Sequence, residues 1–313
     1  MASETEKAEQ FTELRPLLFS IAYRILGSVS EAEDAVQESW LRYETAEAQI
    51  LHPRAFLSSV VTRISIDVLR SARVRREQYV GEWFPEPLLT DPYDDPEHAV
   101  ALSDTISISA LLLLERLSPL ERAVFVLRDV FVFSFAEIGE IVERSASACR
   151  QLAVRARRHM AQGRPRFEAD RRKQEQLAEK FFSAFIDGDV DGLKELLVAD
   201  VELSGDSGGR GPSLPQTVVG ADQTARLLTS VSPHFTGAGL HLEPHEVNGE
   251  PGALARDAED RIVSVMSLEI HEGGIQRIRT MNNPDKLRHL GPVGDVWKTR
   301  DVIQGMRSED PED

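Results

Sequence analysis

Two hydrophobic periods divide this chain, and the division constrains its architecture more than any single motif. Early in the sequence, apolar residues return every three or four positions, as at Phe11, Leu14, Leu18, Ile21, Ala22 and Ile25. That is the stripe of a helix burying one face. From Val201 onward the runs VELSG, LHLEPHEV and RIVSVMSLEI alternate instead, the period of strands with one covered face. Gly273-Gly274 between the last of these and IQRIRTM is a hairpin signal. The two periods belong to separate domains: an all-helical part first, then an α+β part in which helices precede an antiparallel sheet.

Punctuation refines the helical part. Gly27 ends the first helix, and Ser30 is the expected N-cap of the second, with Glu31 and Glu33 in its first turn. Pro53 opens a third helix reaching Arg76. Residues 80–98 hold four prolines and read as a linker, and helical spacing resumes over 105–161. After GRPR, two short helices are expected within QEQLAEKFFSAFIDGDVDGLKELL, the first placing Ala178, Phe181, Phe182 and Phe185 on one face.

Composition excludes several classes. The 313 residues suffice for more than one core. Cys149 is the sole cysteine, which rules out an internal disulfide or a cysteine-rich zinc module. The apolar run Ile108–Leu114 is too short to span a bilayer, and MASETEKAEQF lacks a signal pattern, so a cytoplasmic protein without membrane contact is expected. The net charge of −16 argues against tight DNA binding by the free chain. The signs are nevertheless segregated. Residues 145–167 carry six arginines and no acid, whereas 77–115 carry nine acids and no Lys or Arg.

The arginine-rich stretch FAEIGEIVERSASACRQLAVRARR, residues 135–158, reads as two helices around a short turn, Phe135–Glu143 and then a helix capped by Ser145. The second would turn Cys149, Leu152, Ala153, Ala156 and Met160 inward. It would turn Arg150, Gln151, Val154, Arg155 and Arg158 outward, with Arg157 at the edge. Small inward residues let one helix lie close on another while its far face enters a major groove, the helix-turn-helix pattern. Arginine and glutamine suit base edges, and further arginines suit phosphate. A solvated helix face has the same spacing, and periodicity alone does not separate the two.

Three separated segments sharpen the choice: AEDAVQESWLRY at 32–43, HPRAFLSSVVTRISIDVLRS at 52–71 and LERLSPLERAVFVLRDVFVFSFAEIGEIVERSASACRQLAVRARRHM at 114–160. In this order and spacing they resemble extracytoplasmic-function sigma factors of bacterial RNA polymerase. The resemblance implies two all-α domains, sigma-2 over 1–78 and sigma-4 over 105–165, joined by an acidic linker over 79–104. Such a linker, lacking cations, suits a basic channel of the polymerase. It implies polymerase docking by Asp34, Gln37 and Glu38, and −10 promoter reading by Arg63, Arg70, Arg73, Arg75 and Arg76. It implies −35 reading by Arg150, Gln151, Val154, Arg155 and Arg157. Phe56 stands where the family often has tryptophan and reads as a packing residue.

Residues 171–290 resemble the SnoaL-like domain fused to one group of these sigma factors, an α+β cone with a curved antiparallel sheet, followed by a tail over 291–313. Trp83-Phe84-Pro85, Asp206-Ser207-Gly208-Gly209-Arg210 and Asn283-Pro284-Asp285-Lys286-Leu287 resemble that group's three motifs, the first two with departures. The resemblance implies regulatory contacts through Trp83, Pro85, Asp206, Gly208, Gly209, Arg210, Asn283, Pro284, Asp285, Lys286 and Leu287. Gly208 and Gly209 would admit a close backbone approach, and Lys286 beside Asp285 an ion pair to another domain. The tail offers Trp297 and Val302 as anchors, and its last residues read as a frayed end.

The expected function is promoter-directed transcription initiation with core RNA polymerase and promoter DNA as partners. The fused domain would replace a separate anti-sigma protein. The free chain is expected to be a monomer without cofactor or metal, and a cone of this kind leaves room for a small-molecule ligand. The alternative is an acid/base enzyme or small-molecule sensor with a DNA-binding appendage. Its candidates are His234, His241, His245, Asp257 and His271, none at a spacing that makes an obligate pair, and no zinc spacing is present.

Overall fold

The computed structural model describes residues 4–46, 48, 50–77, 79–93, 95, 99–161, 171–211, 214 and 216–295, with the side chains of 72–77, 99–101, 104 and 234 outside that description. The sequence reading of Trp297 and Val302 therefore lies outside the described residues. The chain forms two compact units, 1–78 with 90–164 and 79–89 with 165–313.

The first unit begins with three mutually packed helices, α1 (Glu4–Leu26), α2 (Val29–Glu44) and α3 (Pro53–Glu77). The cap of α2 is Ser28 and not Ser30. Gly27 takes φ 69 and turns the chain within one residue. Ser28, extended at φ −133 and ψ 127, then accepts the Glu31 N–H at 3.1 Å. From Leu17 to Leu26 every residue of α1 is buried, so this helix is wrapped on all sides and carries Arg24 into the interior.

The remainder of this unit is α4 (Ala99–Ile106), α5 (Ile108–Glu115), α6 (Pro119–Phe125), a π-helical turn Val126–Val130, α7 (Phe135–Val142) and α8 (Ala146–Ala161). Ser118 with Glu121, and Ser134 with Glu137, form reciprocal capping boxes that start α6 and α7. A side-chain cap of this kind contributes about 1 kcal/mol. Glu143 ends α7 in the left-handed region at φ 55, and the Arg144 N–H donates to the Gly139 carbonyl at 2.9 Å. A Cβ on Gly139 would lie 2.6 Å from the Arg144 oxygen, so glycine is required for so tight a turn. Ser145 then accepts the Ala148 N–H at 3.2 Å. Cys149, Ala153 and Ala156 are each 0% exposed, and these small side chains bring α8 close onto α6 and α7.

The second unit is α+β. It comprises α9 (Arg171–Asp187), α10 (Val190–Leu196), β1 (Leu197–Asp206), β2 (Val218–Val219), α11 (Ala221–Gly237), β3 (His241–Val247), β4 (Glu250–Arg256), β5 (Ile262–His271) and β6 (Gly274–Met281). The sheet order is β2-β1-β6-β5-β4-β3. Its core joins Phe181, Phe182 and Phe185 of α9 to Leu228 and Phe235 of α11 and to Leu203, Leu268 and Ile278 of the sheet.

Three features differ from the sequence expectation. Helix α11 interrupts the strands, so the helices do not all come first. β1 pairs with β6 in parallel, the other pairings being antiparallel, because the first long strand is laid beside the last after the chain has run through α11 and the intervening strands. The β5–β6 turn is Glu272-Gly273, at φ 50 and 78, and Gly274 already belongs to β6 opposite His271. Asn248-Gly249, at φ 54 and 75, makes the equivalent turn between β3 and β4. Two consecutive positive-φ residues match the right-handed twist of the flanking strands.

Candidate functional site

On α8 all five sequence-selected residues, Arg150, Gln151, Val154, Arg155 and Arg157, are exposed, while Cys149, Leu152, Ala153, Ala156 and Met160 are buried. Val154 is 63% exposed, an apolar side chain held out beside the arginines. The Arg150 guanidinium lies 5.5 Å from the centre of the Phe135 ring, a cation–π distance. The Arg155 Nε is 3.0 Å from a Glu121 carboxylate oxygen, and the Arg157 Nε donates to Asp129 at 2.6 Å. Partial burial works to raise the Glu121 pKa, but bonds from Ser118 and the charge of Arg155 outweigh it and hold the carboxyl below its ordinary range. Burial pushes the Cys149 thiol up, with Arg144 opposing.

The residues assigned to −10 reading are distributed differently. Arg63 engages the end of α7 with all three of its nitrogens: Nε to the Ile141 carbonyl and Nη2 to that of Glu140, both at 2.8 Å, and Nη1 3.5 Å from Glu143. Carbonyls at a helix C-terminus carry partial negative charge and attract a cation. Arg70 pairs with Asp67 at 3.0 Å on its own helix. The side chains of Arg73, Arg75 and Arg76 lie outside the described residues. On α2, Asp34 and Gln37 are exposed and Glu38 is half-buried, with Glu38 bonded to Arg42 at 2.8 Å. Phe56 packs with Tyr43, ring centres 6.0 Å apart.

Sequence reasoning passed over Arg24. It is 1% exposed and donates to Asp91 at 2.8 Å, to Thr105 at 3.1 Å and to the Leu102 carbonyl at 2.9 Å. Burial pulls its pKa down, and the Asp91 carboxylate opposes that. Arg122, 3% exposed, likewise donates to the Ile25 carbonyl at 2.7 Å and to Glu115 at 2.9 Å. The available signal was a lone cation inside the apolar run LLFSIAYRIL.

In the second unit the three motif segments converge on one carboxylate. Asp206, at the end of β1 and 1% exposed, accepts from the Tyr79 hydroxyl at 2.5 Å, the Phe84 N–H at 2.8 Å and the Lys286 ammonium at 2.7 Å. Lys286 also donates to the Phe84 carbonyl. It sits 4.7 Å from the Tyr79 ring centre and 4.4 Å from that of Trp83. Asn283 donates to the Tyr79 oxygen at 2.8 Å. Burial first, and then the Asp206 carboxylate, drive the Tyr79 phenol far above its usual range, so it remains a donor. Gly208 takes φ 56, and a Cβ there would come within 2.9 Å of the Tyr79 hydroxyl.

The ion pairs differ from the sequence expectation. Lys286 pairs with Asp206 of its own unit, because the turn that Asn283 caps brings it over the end of β1. Asp285 pairs with Arg210 at 3.1 Å and with Arg288 at 2.8 Å. Pro284 opens the short 3-10 turn, Leu287 is fully buried behind it, and Pro85 is buried beside Phe84. The Cβ of Val80 lies 3.4 Å from where a Gly209 Cβ would stand. A cleft of about 570 Å³ opens beside Val80, Gly209, Arg210 and Pro284.

Further anchors of the linker carried no recognised motif. The Asn248 N–H donates to the Leu88 carbonyl at 2.7 Å and its side-chain oxygen accepts the Leu88 N–H at 3.0 Å. His289 Nε2 lies 2.7 Å from the Pro87 carbonyl, and Thr217 donates to Glu82 at 2.7 Å. Asn248 was detectable as an Asn-Gly turn between alternating runs. Residues 79–89 thus have no helix or strand of their own, yet Phe84 and Leu88 are 3% and 8% exposed.

The acid/base candidates engage different neighbours. His245 lies 3.0 Å from Glu243, His271 3.3 Å from Glu269, and His241 4.0 Å from Asp260, while Asp257 binds Arg261 at 2.8 Å. The side chain of His234 is outside the described residues. Among the described residues, no cluster of His, Cys, Asp and Glu could hold a metal ion, and no helix is long and apolar enough to cross a membrane.

Two packed helical domains, the second with a helix-turn-helix, followed by an α+β domain that grips the intervening linker, define a transcription protein with a fused accessory domain. Comparison with known proteins agrees. Residues 10–75 match the sigma-70 region 2 family and 108–160 the sigma-70 region 4 family. The chain is 36% identical over 293 residues to the ECF RNA polymerase sigma factor SigJ of Mycobacterium tuberculosis, covering 90% of this chain and 93% of that protein. It is 32% identical to the probable sigma factor SigI of the same organism, over 88% of this chain and 93% of that one. The crystal structure of the M. tuberculosis SigJ superposes with a TM-score of 0.71 at 33% identity, covering 92% of this chain and all 100% of that one. The chain belongs to the extracytoplasmic-function sigma factors of bacterial RNA polymerase, in the group with a C-terminal SnoaL-like domain.

Proposed function

We propose that this chain binds core RNA polymerase in the cytoplasm and directs it to promoters, with the SnoaL-like domain tuning that activity in place of a separate anti-sigma factor. In this reading α3 contacts the −10 element, α8 the −35 element, and Asp34, Gln37 and Glu38 the polymerase. Sigma-2 spans 1–78, the linker 79–104, sigma-4 105–165, the regulatory domain 171–290 and the tail 291–313, with the first part of the linker functionally owned by the regulatory domain.

One observation supports the tuning role above the others: Asp206 and Lys286 hold the backbone of Phe84 from both sides, N–H and carbonyl. The linker connects the two promoter readers, so a domain that holds it biases where the readers can go. A ligand or polymerase shifts such an equilibrium only by its differential affinity for the held and released states. Arg63 supports the same view, since it must leave the α7 carbonyls before it meets a DNA strand.

The test is transcription by purified chain and core polymerase from the promoter upstream of its own gene. Promoter-dependent transcript is expected, and its absence both with the full chain and with a truncation lacking residues 171–313 would refute the reading. The family is not one of enzymes, and the scattered acid/base candidates favour a regulatory over a catalytic SnoaL-like domain.

A further inference from the structure

The exposed arginines of α8 are held in unequal ways, and Arg155 is held by a residue that is itself fixed. One oxygen of Glu121 accepts the N–H of Ser118 at 3.2 Å and its hydroxyl at 2.7 Å, completing the cap of α6. The other oxygen lies 3.0 Å from the Arg155 Nε. The Glu121 side chain is 13% exposed, whereas that of Arg155 is 59% exposed. A half-buried carboxylate, bonded twice to Ser118, therefore lies in an ion pair with an outward arginine, closest to its inner nitrogen. The closest approach to Glu121 is made at Nε and not at the terminal Nη pair, whose donors form the outer fork of the guanidinium.

That arrangement suits one kind of contact. A guanidinium paired with a carboxylate carries little net charge toward a phosphate, where charge supplies the affinity. Its fork, however, can still donate two parallel bonds to the O6 and N7 of guanine. Holding the side chain in advance also removes rotamer freedom that would otherwise be lost on binding. Resting on the reading of α8 as the −35 helix, we propose that Glu121 is a positioning residue for promoter specificity, aiming the Arg155 fork at one guanine of the −35 element. Glu121 then has two separate duties, capping α6 through one oxygen and placing Arg155 through the other.

The experiment uses full-length chain with core polymerase on its promoter and on single-base-pair substitutions through the −35 element. Glu121→Gln preserves shape and can still serve a capping box but removes the charge that grips Arg155. It is expected to lower the preference for the contacted guanine about fivefold or more, the scale of one bidentate pair. Arg155→Ala should lose the same preference, and the double variant should lose little beyond either single one. Ser118→Ala is the control for a purely structural role: it removes the hydroxyl cap, lowers the melting temperature and should leave base preference close to wild type. Retention of the wild-type preference by Glu121→Gln, or equal loss by Ser118→Ala, would overturn the proposal. A wild-type chain indifferent to every −35 substitution would instead overturn the assignment of α8 as reader.

Discussion

Replacing Asp206 by alanine removes the carboxylate on which three segments converge. Its side chain is 0% exposed and that of Lys286 is 9% exposed, so the substitution strands an ammonium in a buried site. Deleting one member of a buried pair costs about 3–5 kcal/mol. The Phe84 N–H and the Tyr79 hydroxyl lose their acceptor at the same time, but these losses share one partner and do not add. Phe84 and Leu88 keep their apolar burial, so the expected outcome is release of the linker and not collapse of the domain, whose core of Phe181, Phe185, Leu268 and Ile278 lies elsewhere. Hydrogen exchange over 79–89 reads this directly. About 3 kcal/mol corresponds to an increase of roughly a hundredfold in the opening equilibrium, visible at the Phe84 and Leu88 amides. Lys286→Met should produce a similar release, and the double variant less than the sum. Transcription by each variant then tests regulation. Unchanged Phe84 protection would refute the electrostatic account of linker holding, and a released linker with wild-type transcription would refute tuning through it.

Arg63→Ala removes three contacts to the end of α7 and a cation from the proposed −10 surface. Stability should fall by about 1–3 kcal/mol, and promoter opening, followed by permanganate footprinting, should fall too; intact opening would leave Arg63 a structural residue only. Gly139→Ala places a methyl 2.6 Å from the Arg144 carbonyl, so the turn before α8 must shift, and −35-dependent transcription should drop while the second unit melts unchanged. Glu250 is buried, with one carboxyl oxygen lacking a hydrogen-bond partner among the described residues. Burial pushes its pKa up to about 8, with Arg279 and Arg277 opposing and Glu269 assisting. A raised folded-state pKa means that the folded form holds the extra proton, so this contribution is present at acid pH and lost as pH climbs from about 4.5 through 8. Thermal melts from pH 5 to 9 should show the second unit weakening with rising pH, and Glu250→Gln should flatten the trend; an identical slope in that variant would exclude Glu250 as its source.

What the residues determined by themselves were the features set locally. The period of three to four in α1 and on the buried stripe of α8 is written in neighbouring side chains, as are the serine caps of α6 and α7. The outward set Arg150, Gln151, Val154, Arg155 and Arg157 follows from the same arithmetic, since a helix that buries Cys149, Ala153 and Ala156 must expose them. Other features depended on partners far along the chain. Ser28 displaced Ser30 as the cap because Gly27 had already turned the backbone. Helix α11 and the parallel β1–β6 pairing follow from which surfaces the core covers, and short-range propensity does not encode that. Glu121 met Arg155, Arg63 met the α7 carbonyls and Lys286 met Asp206 across 34, 77 and 80 positions respectively. Such pairs are decided when desolvated charges are compelled to find the nearest compatible group in the folded chain. The outward face of α8 was therefore legible in one dimension. The groups that hold its arginines, and that hold the linker, exist only in three.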